Sequence, residues 1–118
     1  MKSILQPKEK KCYLCQIFDL DYSDKAVEVH HVFYGTANRK LSERYGLKVY
    51  LCPEHHRTGK FAVQTNHDMD MFLKDRAQRF FDEFWNGSKD FLLIFGKNYR
   101  LDEKELKDCL AKIKGERV

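Results

Sequence analysis

Four of the five histidines of this chain stand in two adjacent pairs, and each pair accompanies cysteines. The residues concerned are Cys12, Cys15, His30, His31, Cys52, His55 and His56. Thiolates and imidazoles are ligands that zinc favours, and imidazole is also the side chain that exchanges a proton most readily near neutral pH. These residues are enough for one structural zinc site and one separate reactive site with its own metal ion and base.

The cysteines predict a zinc site with four ligands. A Cys-x-x-Cys turn presents two thiolates to one ion, and Cys52 is followed by His55 at the same two-residue gap. We therefore expect Cys12, Cys15, Cys52 and His55 to bind Zn²⁺ and to join the N-terminal turn to the helix after the second predicted strand. His56 in place of His55 is an alternative that the sequence leaves open.

Three histidines then remain for the reactive site. Neighbouring residues on a strand point to opposite faces, so His30 and His31 are expected to do different jobs unless a strand end or bulge brings them together. One of them could bind a metal ion while the other activates water, and His56 could complete the metal shell. A site that hydrolyses phosphodiesters needs these parts: a cation beside the phosphate and a base for the water.

The chain resembles the HNH, or ββα-metal, endonucleases, particularly small phage-type members. The resemblance rests on three segments: Cys12–Cys15, Glu28–Val32 and Leu51–Arg57. It implies an α+β fold with a zinc-bound ββα core over residues 12–67 and a helical extension over 68–118, all in one domain, 1–118. It further implies that His31 is the general base, and that His30, where the family often has aspartate, binds a catalytic Mg²⁺, Mn²⁺ or Ni²⁺ together with His56.

The family's middle asparagine has no clear equivalent, because Gly46–Lys48 stand where it usually lies. Asn38 is the nearest substitute, with Asn66 as a second candidate, and its role would be to orient the base or help to hold the ion. The family also implies contacts to DNA phosphates near the site. We expect these from Arg57 above all, and from Lys60, Arg39, Lys40 and Arg44.

Hydrophobic patterning predicts the elements that position these residues. Strands are expected over 26–33 and 47–51, with a loop over 34–46 that holds a short helical turn at 38–44. Apolar residues at spacings of three and four predict a long helix from Met69 to Trp85, capped by Asn66 or Asp68 and ended by Asn86-Gly87. A short helix over 88–95 and a last helix opened by the capping box Asp102/Glu105 complete the pattern, while residues 1–11 read as a loose basic segment.

Composition limits the setting of the protein but does not identify its partner. The 118 residues have an apolar content of 42%, which suits one globular domain. The net charge of +4 is compatible with a nucleic-acid partner but does not require one. No apolar run approaches the roughly 20 residues that cross a bilayer, and the N-terminus has no apolar signal core. We expect a cytoplasmic protein, in the host cell if phage-encoded, with Cys109 as a buried apolar residue.

Three functions are consistent with these features. The first is a metal-dependent endonuclease that hydrolyses DNA. The second is a non-catalytic zinc module that binds nucleic acid or protein, and it predicts that His30 and His31 are dispensable. The third is a phage recombination nuclease that cuts only branched DNA or acts only with a protein partner. Sequence preference and oligomeric state are left open.

Overall fold

Two short antiparallel strands carry the first histidine pair. In the computed structural model, which describes residues 1–115, β1 (Glu28–His31) pairs with β2 (Lys48–Leu51), with Glu28 opposite Leu51 and His31 opposite Lys48. Both strands are shorter than the predicted 26–33 and 47–51. Residues directly opposite each other share a face of the sheet, so His30 lies on the side of the fully buried Val49 and Leu51.

The segment predicted as a loop with a short helical turn at 38–44 is mostly helical, because residues Thr36–Tyr45 form a ten-residue helix, α2. The segment is polar, with only a narrow apolar stripe at every fourth residue, so hydrophobic patterning underestimates it. Tertiary contacts supply the rest: the buried Ser42 hydroxyl donates to the Phe33 carbonyl at 2.7 Å and accepts from the Phe33 amide at 3.1 Å. The helix ends at Gly46, whose φ of +74° suits glycine.

Three further helices follow, as the sequence predicted, with clear capping signals. They are α3 (His67–Trp85), α4 (Phe91–Phe95) and α5 (Glu103–Ile113), preceded by an N-terminal helix α1 (Tyr13–Asp19) that the sequence did not predict. Asn66, not Asp68, caps α3 by accepting from the Met69 amide, and Asp102 and Glu105 form the predicted capping box of α5. Within residues 1–115, no helix combines the length and apolarity that a membrane crossing requires.

The helices and the sheet share one hydrophobic core. Phe33, two residues after β1, is 1% exposed and packs against Phe91, Phe95 and Tyr99 at ring-centroid distances of 4.9–5.3 Å. Phe81 of α3 joins the same aromatic group. Because Phe33 packs against α4 and the segment after it, the C-terminal part of the chain fixes the direction of the backbone after β1.

The expectation that residues 1–11 form a loose segment is also wrong. The Ile4 amide donates to the Gly46 carbonyl at 2.9 Å, and the Tyr50 amide of β2 donates to the Gln6 side chain at 2.8 Å. Gln6 is only 3% exposed. This segment therefore covers the outer edge of β2 and satisfies backbone groups that a two-stranded sheet leaves open.

Candidate metal and histidine sites

The structure brings the four predicted zinc ligands together. The Sγ atoms of Cys12, Cys15 and Cys52 lie 3.5, 3.3 and 3.5 Å from Nδ1 of His55, and the Cys15 and Cys52 sulfurs are 3.9 Å apart. Bonds of about 2.3 Å to sulfur and about 2.1 Å to nitrogen give a tetrahedral zinc site edges of about 3.8 Å between sulfurs and about 3.5 Å from sulfur to nitrogen. The donors thus have the spacing of a tetrahedral metal site; we call these four residues the Cys₃His cluster.

Three short elements present these ligands. Cys12 is the N-cap of α1, and its sulfur accepts from the Cys15 amide, so both thiols lie over the first turn of that helix. Cys52 follows the last residue of β2, and Pro53 then opens a π-helical turn, Glu54–Thr58. Pro53 suits this position because its missing N–H has no partner in a first turn. The turn carries both members of the second histidine pair.

The electrostatics of the Cys₃His cluster favour a bound cation. Burial raises the pKa of the Cys12 and Cys15 thiols, and for Cys15 the neighbouring sulfurs raise it further. Burial also lowers the pKa of His55, which keeps its imidazole neutral. Three packed thiols cannot ionise together without a compensating charge, whereas a divalent ion binds them as thiolates.

Three further histidines line an open cleft beside this cluster. Its volume is about 480 Å³, and its walls are formed by Val29, His30, His31, Tyr34, Arg39, His56 and Gln64. His31 is the last residue of β1, so the two neighbours reach one cleft even though they start on opposite faces of the strand. We call it the histidine cleft.

His56 is held by a carboxylate that the sequence analysis did not assign. Its Nδ1 lies 2.7 Å from Oε1 of Glu28. Arg57 forms a forked salt bridge with the same carboxylate, at 3.0 and 2.9 Å, and with His56 it lowers the pKa of Glu28 to about 2. An ionised carboxylate only accepts, so Nδ1 of His56 carries a proton, and in the neutral imidazole Nε2 has the lone pair. That atom is 3.4 Å from the Gln64 amide nitrogen.

His31 has a carboxylate of its own. Its Nε2 lies 3.0 Å from Oε1 of Glu43, which comes from α2. Lys48 and His31 lower the pKa of Glu43 to about 2, and Lys48 has the larger effect through a hydrogen bond of 2.6 Å. By the same reasoning the His31 proton lies on Nε2, and Nδ1 can accept one.

His30 differs from both, because its Nε2 is buried and has no hydrogen-bond partner within residues 1–115. The side chain is 5% exposed, and burial, followed by the neighbouring His56, lowers its pKa to about 3. The rings of His30 and His56 are 5.2 Å apart between centroids. Two imidazoles on one ion, with bonds of about 2.1 Å, have ring centres roughly 4.5–5.3 Å apart.

The other predicted site residues are placed less uniformly. Arg39 lines the histidine cleft and, with Lys40, an adjoining cleft of about 690 Å³ that also contains His31. Arg57, the strongest prediction for a phosphate contact, is instead engaged by Glu28. Lys60 lies over the ring of Phe61 at 5.6 Å and lines neither cleft.

Neither asparagine candidate reaches the histidines. Asn38 lies in α2, not in a loop, and is not among the residues that form either cleft. Asn66 caps α3 and donates to the Lys60 carbonyl at 3.3 Å. The side chains that contact the ring nitrogens of His31 and His56 on the protein side are the carboxylates of Glu43 and Glu28.

Glu28 and Glu43 are the site residues that sequence reasoning missed. Glu28 lies two residues before His30, so strand alternation places both side chains on one face. This spacing could have identified Glu28 as a site residue from the sequence. Glu43 gave none, because its approach to His31 depends on the packing of α2. No protein-family model, curated protein or solved structure matches this chain, so the inferences about these two sites rest on their geometry.

Proposed function

We propose that this protein is a metal-dependent endonuclease that hydrolyses DNA phosphodiester bonds in the histidine cleft, with the Cys₃His cluster as its structural zinc site. The observation that carries the proposal is the arrangement of His30, His31 and His56 in one open cleft. Two of these imidazoles are fixed by ionised carboxylates. Residues that only support a fold do not need paired proton acceptors of this kind at the mouth of a cleft.

His31 is the general base in this proposal. Its Nε2–H donates to Glu43, which holds the ring in one tautomer and favours the imidazolium that forms when Nδ1 takes a proton. The water oxygen bonds to phosphorus as its proton passes to Nδ1, and the bond from phosphorus to the 3′-oxygen breaks. The leaving oxygen regains a proton from solvent.

His30 and His56 are the proposed ligands of the catalytic cation. They fit this role because burial keeps His30 neutral, the two rings have the separation of two imidazoles on one ion, and the buried His30 Nε2 has no other partner within residues 1–115. A divalent ion bound there supplies positive charge next to the phosphate in the transition state. Glu28 acts behind His56 and fixes which ring nitrogen faces the cleft, as carboxylates commonly do behind metal-binding histidines.

Arg39 and Lys40 are the proposed phosphate contacts. Both are exposed on the first turns of α2, and Arg39 borders both clefts. Arginine is suited to bidentate contacts with phosphate. Their position next to His31 would align the backbone of the DNA with the base, and the net charge of +4 supports an anionic substrate.

Cleavage of plasmid and of branched oligonucleotides tests the proposal, with zinc-loaded protein and added Mg²⁺, Mn²⁺ or Ni²⁺. Wild type is expected to cut with at least one metal, and His31→Ala is expected to be slower by about 100-fold or more because the base is lost. Glu83→Ala is the control, since Glu83 is exposed on α3 and lines neither cleft. If wild type leaves every substrate intact under every metal, or His31→Ala cuts as fast, the proposal fails.

A non-catalytic zinc module is the second candidate. The observation in its favour is that the Cys₃His cluster is the one group of three or more possible metal ligands within residues 1–115. Such a module binds DNA or a protein without cutting, and its binding is unchanged in His30→Ala and His31→Ala. The branched substrates also test whether cutting is confined to recombination intermediates.

A further inference from the structure

Tyr34 is exposed directly after two completely buried residues. Val32 and Phe33 are 0% and 1% exposed, whereas Tyr34 is 49% exposed and forms part of the wall of the histidine cleft. Its ring centroid lies 6.2 Å from that of His30. A large aromatic ring is therefore presented to solvent immediately beside the proposed reaction site.

Contacts from α3 hold this ring in place. The Tyr34 hydroxyl donates to Oδ2 of Asp70 at 3.2 Å, and the Lys74 ammonium lies 4.3 Å from the ring centroid. Asp70 and Lys74, one helical turn apart, are themselves joined at 3.0 Å. Because the Lys74 cation covers one face of the ring, the exposed half of the Tyr34 surface consists of the other face and the outer edge.

A small polar pocket adjoins the ring. It has a volume of about 190 Å³, and besides Tyr34 and Asp70 it is formed by the loop from Val63 to His67. Tyr34 and Gln64 line both this pocket and the histidine cleft, so the two spaces adjoin at these residues. Asp70 is 8% exposed, and its Oδ1 has no partner within the described residues. The pocket thus combines an aromatic wall with a buried acceptor that lacks a donor.

We propose that Tyr34 is a stacking platform for an unpaired nucleobase next to the phosphate that is cut. This inference rests on the proposed nuclease function and specifies its substrate class. Inside a duplex both faces of a base are covered by neighbours, so a protein ring can stack only on a base that is unpaired and splayed out. The protein accordingly prefers DNA with unpaired nucleotides, such as forks and flaps, over continuous duplex.

The platform is preorganised by Asp70 and Lys74. A ring that is already fixed loses little conformational freedom when a base stacks on it, which favours binding. Tyr34→Phe keeps the ring and loses only the hydrogen bond to Asp70, whereas Tyr34→Leu keeps apolar bulk and loses the aromatic face. The two substitutions therefore separate stacking from support of the fold.

Binding of fluorescently labelled forks by anisotropy tests the inference, with zinc-loaded protein and no added catalytic metal. One fork carries natural bases on its unpaired arm, and a second carries abasic nucleotides with the same number of phosphates. Wild type is expected to bind the fork with bases about 5- to 100-fold more tightly, the range of stacking on one aromatic side chain. Tyr34→Leu should lose this preference, and Tyr34→Phe should keep most of it.

Tyr22→Leu is the matched control, because Tyr22 is 58% exposed but does not border the histidine cleft. The inference is overturned if wild type binds both forks equally, or if Tyr34→Leu keeps the full preference for bases. Since binding is measured without cleavage, a protein that stacks bases but cuts no substrate would refute the proposed function alone. A protein that cuts DNA while Tyr34→Leu binds like wild type would refute the platform alone.

Discussion

The Cys₃His cluster and the histidine cleft lie side by side but are built in opposite ways. In the cluster the four donor atoms face one another within 4.8 Å, and the three cysteines are buried. In the cleft the imidazoles face open space, and carboxylates lie behind two of them. A closed set of ligands is typical of structural metal sites, whereas open positions and supported histidines are typical of reactive ones.

The two sites share the π-helical turn, and this is what separates the second histidine pair. His55 points its Nδ1 at the three sulfurs, while His56 points its Nδ1 at Glu28. Successive side chains on a helical backbone are rotated by roughly a quarter turn, so adjacent residues can serve different sites.

The largest effect should come from breaking the closed site. Cys15→Ala removes one of four ligands, and structural zinc contributes about 10–16 kcal/mol of binding free energy, as much as the whole stability of a typical domain. We expect the variant to lose its bound metal and its cooperative thermal transition. Metal analysis of the purified protein and circular dichroism melting measure both.

Cys109→Ala provides the matched control for this first prediction. Cys109 is 6% exposed, and its thiol donates to the Asp68 carbonyl, far from the other cysteines in sequence. Its loss should cost about 1–2 kcal/mol and leave the metal content unchanged. Equal melting temperatures for the two variants would contradict a structural role of the cluster.

In the open site a substitution should abolish activity without loss of stability. His30→Leu puts an apolar side chain in place of a buried imidazole whose Nε2 has no partner among residues 1–115. Such an unsatisfied group costs about 1–3 kcal/mol, so we expect stability to be unchanged or higher by about 1 kcal/mol, with cleavage reduced about 100-fold or more. Urea unfolding and the plasmid assay give the two readings. A strongly destabilised variant would instead mark His30 as a core residue.

Glu28→Gln should have an intermediate effect, because it alters the support of a ligand and not the ligand itself. The neutral amide is a weaker acceptor for the Nδ1–H of His56, and loss of such a carboxylate commonly lowers metal affinity or activity by about 10- to 100-fold. The metal concentration that gives half-maximal cleavage should rise accordingly.

Arg57→Gln completes that test. The Arg57 guanidinium contacts Glu28, which in turn contacts His56. Because Arg57 is one step further from the proposed ligand, its loss should have a smaller effect than Glu28→Gln. If Arg57→Gln instead weakens DNA binding more than Arg39→Gln, Arg57 contacts phosphate as the sequence predicted.

The sequence was informative about the closed site and much less so about the open one, for a physical reason. Zinc ligands occur in pairs at short spacings set by local turns, and Cys12/Cys15 and Cys52/His55 could be found without knowing the fold. The support of the open site comes from contacts between distant segments. Glu43 reaches His31 only because α2 folds back along β1, and α2 itself was predicted only as a short helical turn within a loop.

The fold shows the same division. The long amphipathic α3, its Asn66 cap and the capping box of α5 follow from patterns within a few residues, and the structure confirms them. The docking of residues 1–11 on β2 depends on bonds such as Ile4 to Gly46, which no local pattern reveals. The α+β character was predictable, and the way its parts close around the clefts was not.

The smallest predicted effect concerns pH and Glu43. Its carboxyl pKa is lowered from 4.5 to about 2, first by Lys48 and then by His31, so the folded state favours the ionised form. A lowered carboxyl pKa adds stability that is fully present above the ordinary value and is lost as the pH falls toward the folded one. Glu43→Gln should therefore be less stable than wild type at pH 7, by less than about 1 kcal/mol because the Glu43 side chain is half exposed.

The difference between these two proteins should shrink to zero as the pH falls from about 5 to about 2. Acid also releases metal from cysteine ligands, but this loss is common to both and cancels in the comparison. Glu83→Gln, an exposed change on α3, serves as the control and should track wild type throughout. A difference that stays constant with pH would mean that Glu43 acts through packing or helix propensity. In that case the charge of Glu43 would affect the proposed base, His31, and would not contribute to the stability of the fold.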